Sequence, residues 1–162
     1  MNPSLIVVLA ALALLLAAVV FDLRSRTIPD SISIAMVLLG LLATACGWIE
    51  GGCNDWGWAR FGIGLAVGFG IGAALFYLGA MGGGDAKLCA GLGAICGWPR
   101  VLEVLFATAL FGGLLSWWAR RRGMTSLPYA PALAAGYAST VAIAWLLPPS
   151  TGLWHLITGR AL

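Results

Sequence analysis

The chain has 162 residues, of which 61% are hydrophobic and 9% charged, and its mean hydropathy is +0.98. Soluble domains carry about 25% charge, so this composition excludes a soluble globular enzyme, a disordered tail and a nucleic-acid binder. The net charge of +3, from 9 Lys and Arg against 6 Asp and Glu, is too small to hold a polyanion.

Uncharged stretches run over Met1–Phe21, Ser31–Ile49, Phe61–Gly84, Leu88–Pro99, Val104–Ala119 and Gly123–Gly159. A membrane-spanning helix needs roughly 20 apolar residues, within a range of about 17–25. The reading is an all-α, polytopic membrane bundle of about six transmembrane helices, one integral-membrane domain over residues 1–162 with no separate soluble domain. Transmembrane β-strands would alternate over short segments instead of running as continuous Leu, Ala and Gly. Met1–Ser4 lacks the positive charge of a secretory n-region, although Ala11–Leu12–Ala13 mimics a cleavage site; the first helix is expected to be retained. The fourth segment is short and is expected to start or end inside the bundle, and Pro148–Pro149 offers a stop for the sixth.

Arg24, Arg26, Lys87, Arg120, Arg121 and Arg122 fall after the first, third and fifth segments, against Arg60, Arg100 and Arg160 on the other side. The positive-inside rule then puts the 1–2, 3–4 and 5–6 connections in the cytoplasm and both termini outside. Glu50, Cys53, Asp55 and His155 fall on the outer side. Gly64, Gly68 and Gly72 repeat every four residues, and Gly93 and Gly97 continue the theme in the fourth segment. Such stripes let helices approach closely in lipid.

An ionisable group near a span is costly and often functional. Glu50 and Asp55 read as solvated loop residues, and Glu103 as a charge at a helix start. Asp22 ends the first apolar run, and Asp85 follows Gly82–Gly83–Gly84, so both are expected at one depth on the cytoplasmic side. Asp22 can equally pair with Arg24 or Arg26 or mark the interface, and Asp85 can act as an N-cap. A close pair of carboxylates shares a proton, one member activating water while the other donates to a carbonyl. That is hydrolysis without a covalent intermediate, and it requires no metal or cofactor. His155 is the only histidine, and neither H-E-x-x-H nor G-x-S-x-G occurs. Cys46, Cys53, Cys89 and Cys96 lack zinc-ligand spacing; Cys46 and Cys53 can form a disulfide, whereas Cys89 and Cys96 read as small packing residues.

Asp22-Leu-Arg-Ser-Arg-Thr-Ile-Pro-Asp30 resembles the first catalytic motif of the type IV prepilin peptidases. Gly82-Gly-Gly-Asp-Ala-Lys87 resembles their G-x-G-D-x-K motif, the signature of GxGD intramembrane aspartyl proteases. Leu127-Pro-Tyr-Ala-Pro-Ala-Leu-Ala-Ala-Gly136 resembles the run that opens the family's last helix. The resemblance implies that Asp22 and Asp85 are catalytic. It also implies that Gly82, Gly83, Gly84 and Lys87 form the active-site loop, with Arg26, Ile28, Pro29 and Asp30 supporting the first motif. The implied substrate is a prepilin with a basic leader and a hydrophobic helix, cut at the cytoplasmic face of the inner membrane.

Position 30 is Asp where the family usually has Asn. Long bacterial members carry a cytoplasmic insertion with paired C-x-x-C motifs and methylate their product. This chain has neither the insertion nor the motif, so it resembles the short, peptidase-only form serving Flp (tight-adherence) pili, or the archaeal preflagellin peptidases. Two other readings are a small proton-coupled transporter and a non-enzymatic assembly subunit of a pilus or secretion machine. The first calls for acids in mid-span, and the second predicts that neutralising either aspartate changes nothing.

Overall fold

A computed structural model describes residues 3–49, 53–122 and 129–146. Those residues form six α-helices: α1 (Pro3–Ser25), α2 (Asp30–Ala45), α3 (Asp55–Tyr77), α4 (Gly83–Cys96), α5 (Arg100–Arg121) and α6 (Ala130–Leu146). Helices α1 and α3, and Arg100–Ala119 of α5, are long and apolar enough to cross a membrane, and α2 and α6 are shorter apolar helices. Helix α4 has 14 residues, about 21 Å at 1.5 Å per residue, which is short of a bilayer core. The Glu50–Gly52 part of the second connection, Leu127–Pro128, the Arg120 side chain, Pro148–Pro149 and the tail with His155 and Arg160 lie outside the described residues.

Helix ends fall where caps and turns put them, and several differ from the ends of the uncharged stretches. Helix α3 starts at Asp55 because the Asn54 side chain accepts the Gly57 N–H at 2.9 Å, so Asp55 is helical and not a loop residue. It ends at Tyr77, ahead of Gly79 at φ +70°, well before the apolar run does. Arg60 is therefore inside the helix. Its Nε donates to the Trp98 carbonyl at 2.9 Å, and the Trp98 N–H donates back to the Arg60 carbonyl at 3.0 Å. This pair of bonds ties α3 to the turn after α4. Arg100 and Glu103 likewise belong to the first turn of α5.

Helix α4 is the centre of the bundle. It packs most extensively on α3 and then α2, while α5 pairs with α6, and α6 closes on α1. Nearly every α4 residue from Asp85 to Ile95 is buried, Lys87 being the exposed exception. The small-residue stripes explain how three helices meet so closely. Gly64, Gly68 and Gly72 are the buried face of α3, and a Cβ added at Gly72 would stand 2.9 Å from the Ala86 backbone. On the α2 side, a Cβ at Gly40 would stand 2.6 Å from the Ala94 carbonyl oxygen. Gly93 faces Gly64 within this contact. Gly97 packs there too, and at φ +66° it also ends the helix.

Candidate active site

Helix α1 buries Val7, Ala11, Leu15, Ala18 and Asp22, steps of three and four residues that form one stripe toward the bundle. Asp22 is the last member of that stripe, 7% exposed, and lies within the helix, one turn before its end. Its Oδ2 accepts the Ala130 N–H at 3.2 Å. Ala130 is the first residue of α6, and the opening N–H groups of a helix have no partner within it. The Asp22 carboxylate thus caps α6 from 108 residues away. No spacing rule announces that contact, and it was beyond reach of the sequence. Helix α1 then stops at Arg26, whose φ of +53° is a left-handed conformation. Its N–H still bonds the Asp22 carbonyl at 3.0 Å, the αL closure usually given to glycine.

Asp85 arrives on the first turn of α4. The alternative in which Asp85 is an N-cap is corrected here, as is the loop that the resemblance implies for Gly83 and Gly84. Gly82 is the N-cap, extended at φ −75° and ψ 155°, and Gly83 and Gly84 are already helical. The chain enters its helix two residues before the acid because a capping residue must itself be extended. Asp85 reaches back toward Gly82, whose backbone N–H interacts with its carboxylate, the acidic half of a capping box. It is 7% exposed. Its Oδ1 is buried and has no hydrogen-bond partner.

Gly82 and Gly84 leave room for this arrangement. A Cβ on Gly82 would lie 3.1 Å from Asp85 Oδ2, and one on Gly84 would lie 3.0 Å from Ile28 Cβ. Lys87, two residues past Asp85, points elsewhere, as helical i and i+2 side chains do. Its Nζ meets Asp30 Oδ1 at 2.6 Å. Asp30 opens α2, and Pro29 supplies the extended residue before it.

These parts enclose an open cleft of about 290 Å³, lined by Asp22, Arg26, Thr27, Ile28 and Asp30 on one side and by Gly82, Gly83, Gly84, Asp85 and Lys87 on the other. Of the site residues that the resemblance implies, only Pro29 does not line it. Asp22 and Asp85 are near enough for the charge of one to act on the other. Two buried carboxylates in an open cleft are equipped for general acid–base hydrolysis. The cysteines contribute nothing visible: Cys46 and Cys53 are free and exposed, not joined in a disulfide, while Cys89 is buried and Cys96 half-buried.

Comparison with known proteins gives this cleft a context. Residues 9–117 match the model of the type IV leader peptidase family. A prepilin leader peptidase/N-methyltransferase of Burkholderia pseudomallei is 32% identical over 148 residues, covering 80% of this chain and 43% of the relative. The Escherichia coli protein of the same name is 32% identical over 122 residues, covering 72% of this chain and 54% of the relative. A preflagellin peptidase of Methanocaldococcus jannaschii is 38% identical over 89 residues, covering 54% of this chain and 36% of that protein. The chain thus spans about half the length, or less, of the curated relatives it matches. No solved structure matches. With the family model matched over most of the chain, the protein belongs to the type IV leader peptidase family.

Proposed function

We propose that the chain is an intramembrane aspartyl endopeptidase. It removes the leader peptide of type IV prepilins of the Flp class at the cytoplasmic face of the inner membrane, and does not methylate the new N-terminus. The observation that carries this reading is the shared cleft, in which two buried carboxylates from different helices face one opening. Family membership supports leader-peptide cleavage as the reaction. The missing methylation rests on the sequence: α1 and α2 are joined by four residues, 26–29, and the chain has no C-x-x-C.

The chemistry follows from the pair. One carboxylate takes a proton from water as its oxygen adds to the scissile carbonyl, and the other gives its proton to the carbonyl oxygen. Collapse of the tetrahedral intermediate returns a proton to the leaving amine, and no bond to the enzyme forms. Asp22 has one oxygen fixed by the α6 N–H, whereas Asp85 keeps an oxygen free of partners, so neither is locked into a full set of bonds. Both acids sit at one end of their helices, which suits a substrate cut where its hydrophobic helix meets the cytoplasm. A proton relay through the membrane calls for acids at mid-depth.

The test is cleavage of a Flp-type prepilin in membranes carrying wild type, Asp22→Asn or Asp85→Asn. Wild type is expected to shorten the precursor, and each variant, at normal abundance, to lower cutting by roughly a hundredfold or more, the size of a general acid–base contribution. Cutting by both variants at the wild-type rate rejects the catalytic pair.

A further inference from the structure

The ion pair between Asp30 and Lys87 is a contact at the cleft whose purpose neither the chemistry nor the packing explains. It joins the first residue of α2 to Lys87, the fifth residue of α4 and just past its first turn, across 57 positions, at 2.6 Å. Both side chains are half-exposed or more, 63% for Asp30 and 50% for Lys87. Exposed pairs of this kind contribute about 0–1 kcal/mol to stability, too little to matter in a bundle held by buried helix faces. The pair must therefore be judged by what it positions.

What it positions is the first turn of α4. That turn follows Gly82 and opens with Gly83 and Gly84, so little side chain anchors it. On the cleft side it meets residues 28–30, through Ile28 against Gly84 and through Asp30 with Lys87. Those same residues continue directly from the end of α1, which carries Asp22. The short segment thus connects one carboxylate's helix end to the other's helix start.

We propose that Asp30 and Lys87 are a positioning pair, which sets the first turn of α4 against α2 and so holds Asp85 in register with Asp22. Asp30 also keeps the lysine ammonium, two residues from Asp85, away from the carboxylates. Neither residue touches the reacting atoms. The inference rests on the reading of Asp22 and Asp85 as the catalytic pair.

The experiment is a double-mutant cycle on purified enzyme in detergent or vesicles, measured with a prepilin substrate. Its members are Asp30→Asn, Lys87→Met, the double variant and Lys87→Arg, with Asp22→Asn as the reference for loss of chemistry. Each single variant is expected to lower kcat roughly fivefold, the rate equivalent of about 1 kcal/mol, with KM unchanged and thermal stability nearly so. The double variant is expected to lose far less than the product of the two singles, and Lys87→Arg to keep most of the wild-type kcat. Wild-type kcat should also fall as salt screens the exposed pair, and the double variant should lose that dependence.

Single effects that multiply in the double variant, or singles that match wild type, overturn the pairing. A rise in KM with kcat intact also overturns it and makes Asp30 or Lys87 a substrate contact. Failure of the catalytic reading is seen separately: wild type then does not cut, or Asp22→Asn cuts as well as wild type.

Discussion

Asp22 serves two purposes that substitution can separate. Its carboxylate lines the cleft, and the same group caps α6 through the Ala130 N–H. Asparagine keeps an oxygen able to accept that bond, while alanine does not. Both Asp22→Asn and Asp22→Ala are expected to stop cleavage, but only the alanine variant should lose stability, by about 1 kcal/mol, the usual worth of a helix cap. Thermal unfolding of the two purified variants checks this. An alanine variant as stable as the asparagine variant would remove the cap from the account. Arg26 offers a second residue-scale test, because its backbone is left-handed at φ +53°. Glycine adopts that conformation freely, whereas a β-branched residue there is a true outlier. Arg26→Val is expected to lower stability by about 1–2 kcal/mol relative to Arg26→Gly, measured by the same unfolding assay.

At the scale of elements, α4 decides the architecture, and its neighbours are chosen small so that it can be enclosed. Gly68 faces the Cys89 backbone, and an added Cβ there would approach the Cys89 carbonyl carbon to 3.1 Å. Gly70, two residues on, faces open space. Gly68→Leu is therefore expected to push α3 and α4 apart, at a cost no smaller than the roughly 1–3 kcal/mol of ordinary overpacking, and to deplete the protein from membranes. Gly70→Leu should leave abundance unchanged, and immunoblots of the two variants compare them directly. This stripe was legible in the sequence, because its period of four marks one helix face. Asp22 and Asp85 were legible as candidates, since one ends an apolar run and the other follows three glycines, but that they line one cleft was not, because spacing across 63 positions does not give a separation. The ends of α3 were not. Asp55 read as a loop charge and Arg60 only as a charge on the outer side, because no sequence rule shows that Asn54 starts a helix before them, or that a carbonyl 38 residues on takes the Arg60 donor. The uncharged residues 78–82 extended the apparent third span for the opposite reason, since loop and helix can be equally apolar. The bond from Ala130 to Asp22 lay furthest out of reach, being a tertiary contact between two residues that each look ordinary in their own segment.

For the whole molecule, the arrangement of charges argues for an orientation that the helices alone do not give. Alternating helices bring the end of α1, the starts of α2, α4 and α6 and the end of α5 to the cleft end. Arg24, Arg26, Lys87, Arg121 and Arg122 gather there, while Arg60 and Arg100 lie at the far end beside the Trp98 turn. At the close of α5 the guanidinium groups of Arg121 and Arg122 stand 4.0 and 4.1 Å over the rings of Trp117 and Trp118. Both indoles are exposed. Amphipathic rings beside cations suit the headgroup layer, and the positive-inside rule leads to the expectation that the end with the basic excess faces the cytoplasm. Cys53 then faces outward, and it is free and exposed. In that orientation Leu78, at the cleft end of α3 and 79% exposed, is expected to face the cytoplasm. In intact cells a membrane-impermeant maleimide is expected to label Cys53 in a Cys46→Ser background. A Leu78→Cys variant that also carries Cys46→Ser and Cys53→Ser should label only after the membrane is opened. The reverse pattern would turn Asp22 and Asp85 toward the outside. Leader cleavage at the cytoplasmic face would then be impossible for this cleft, however well its two carboxylates are placed for the chemistry.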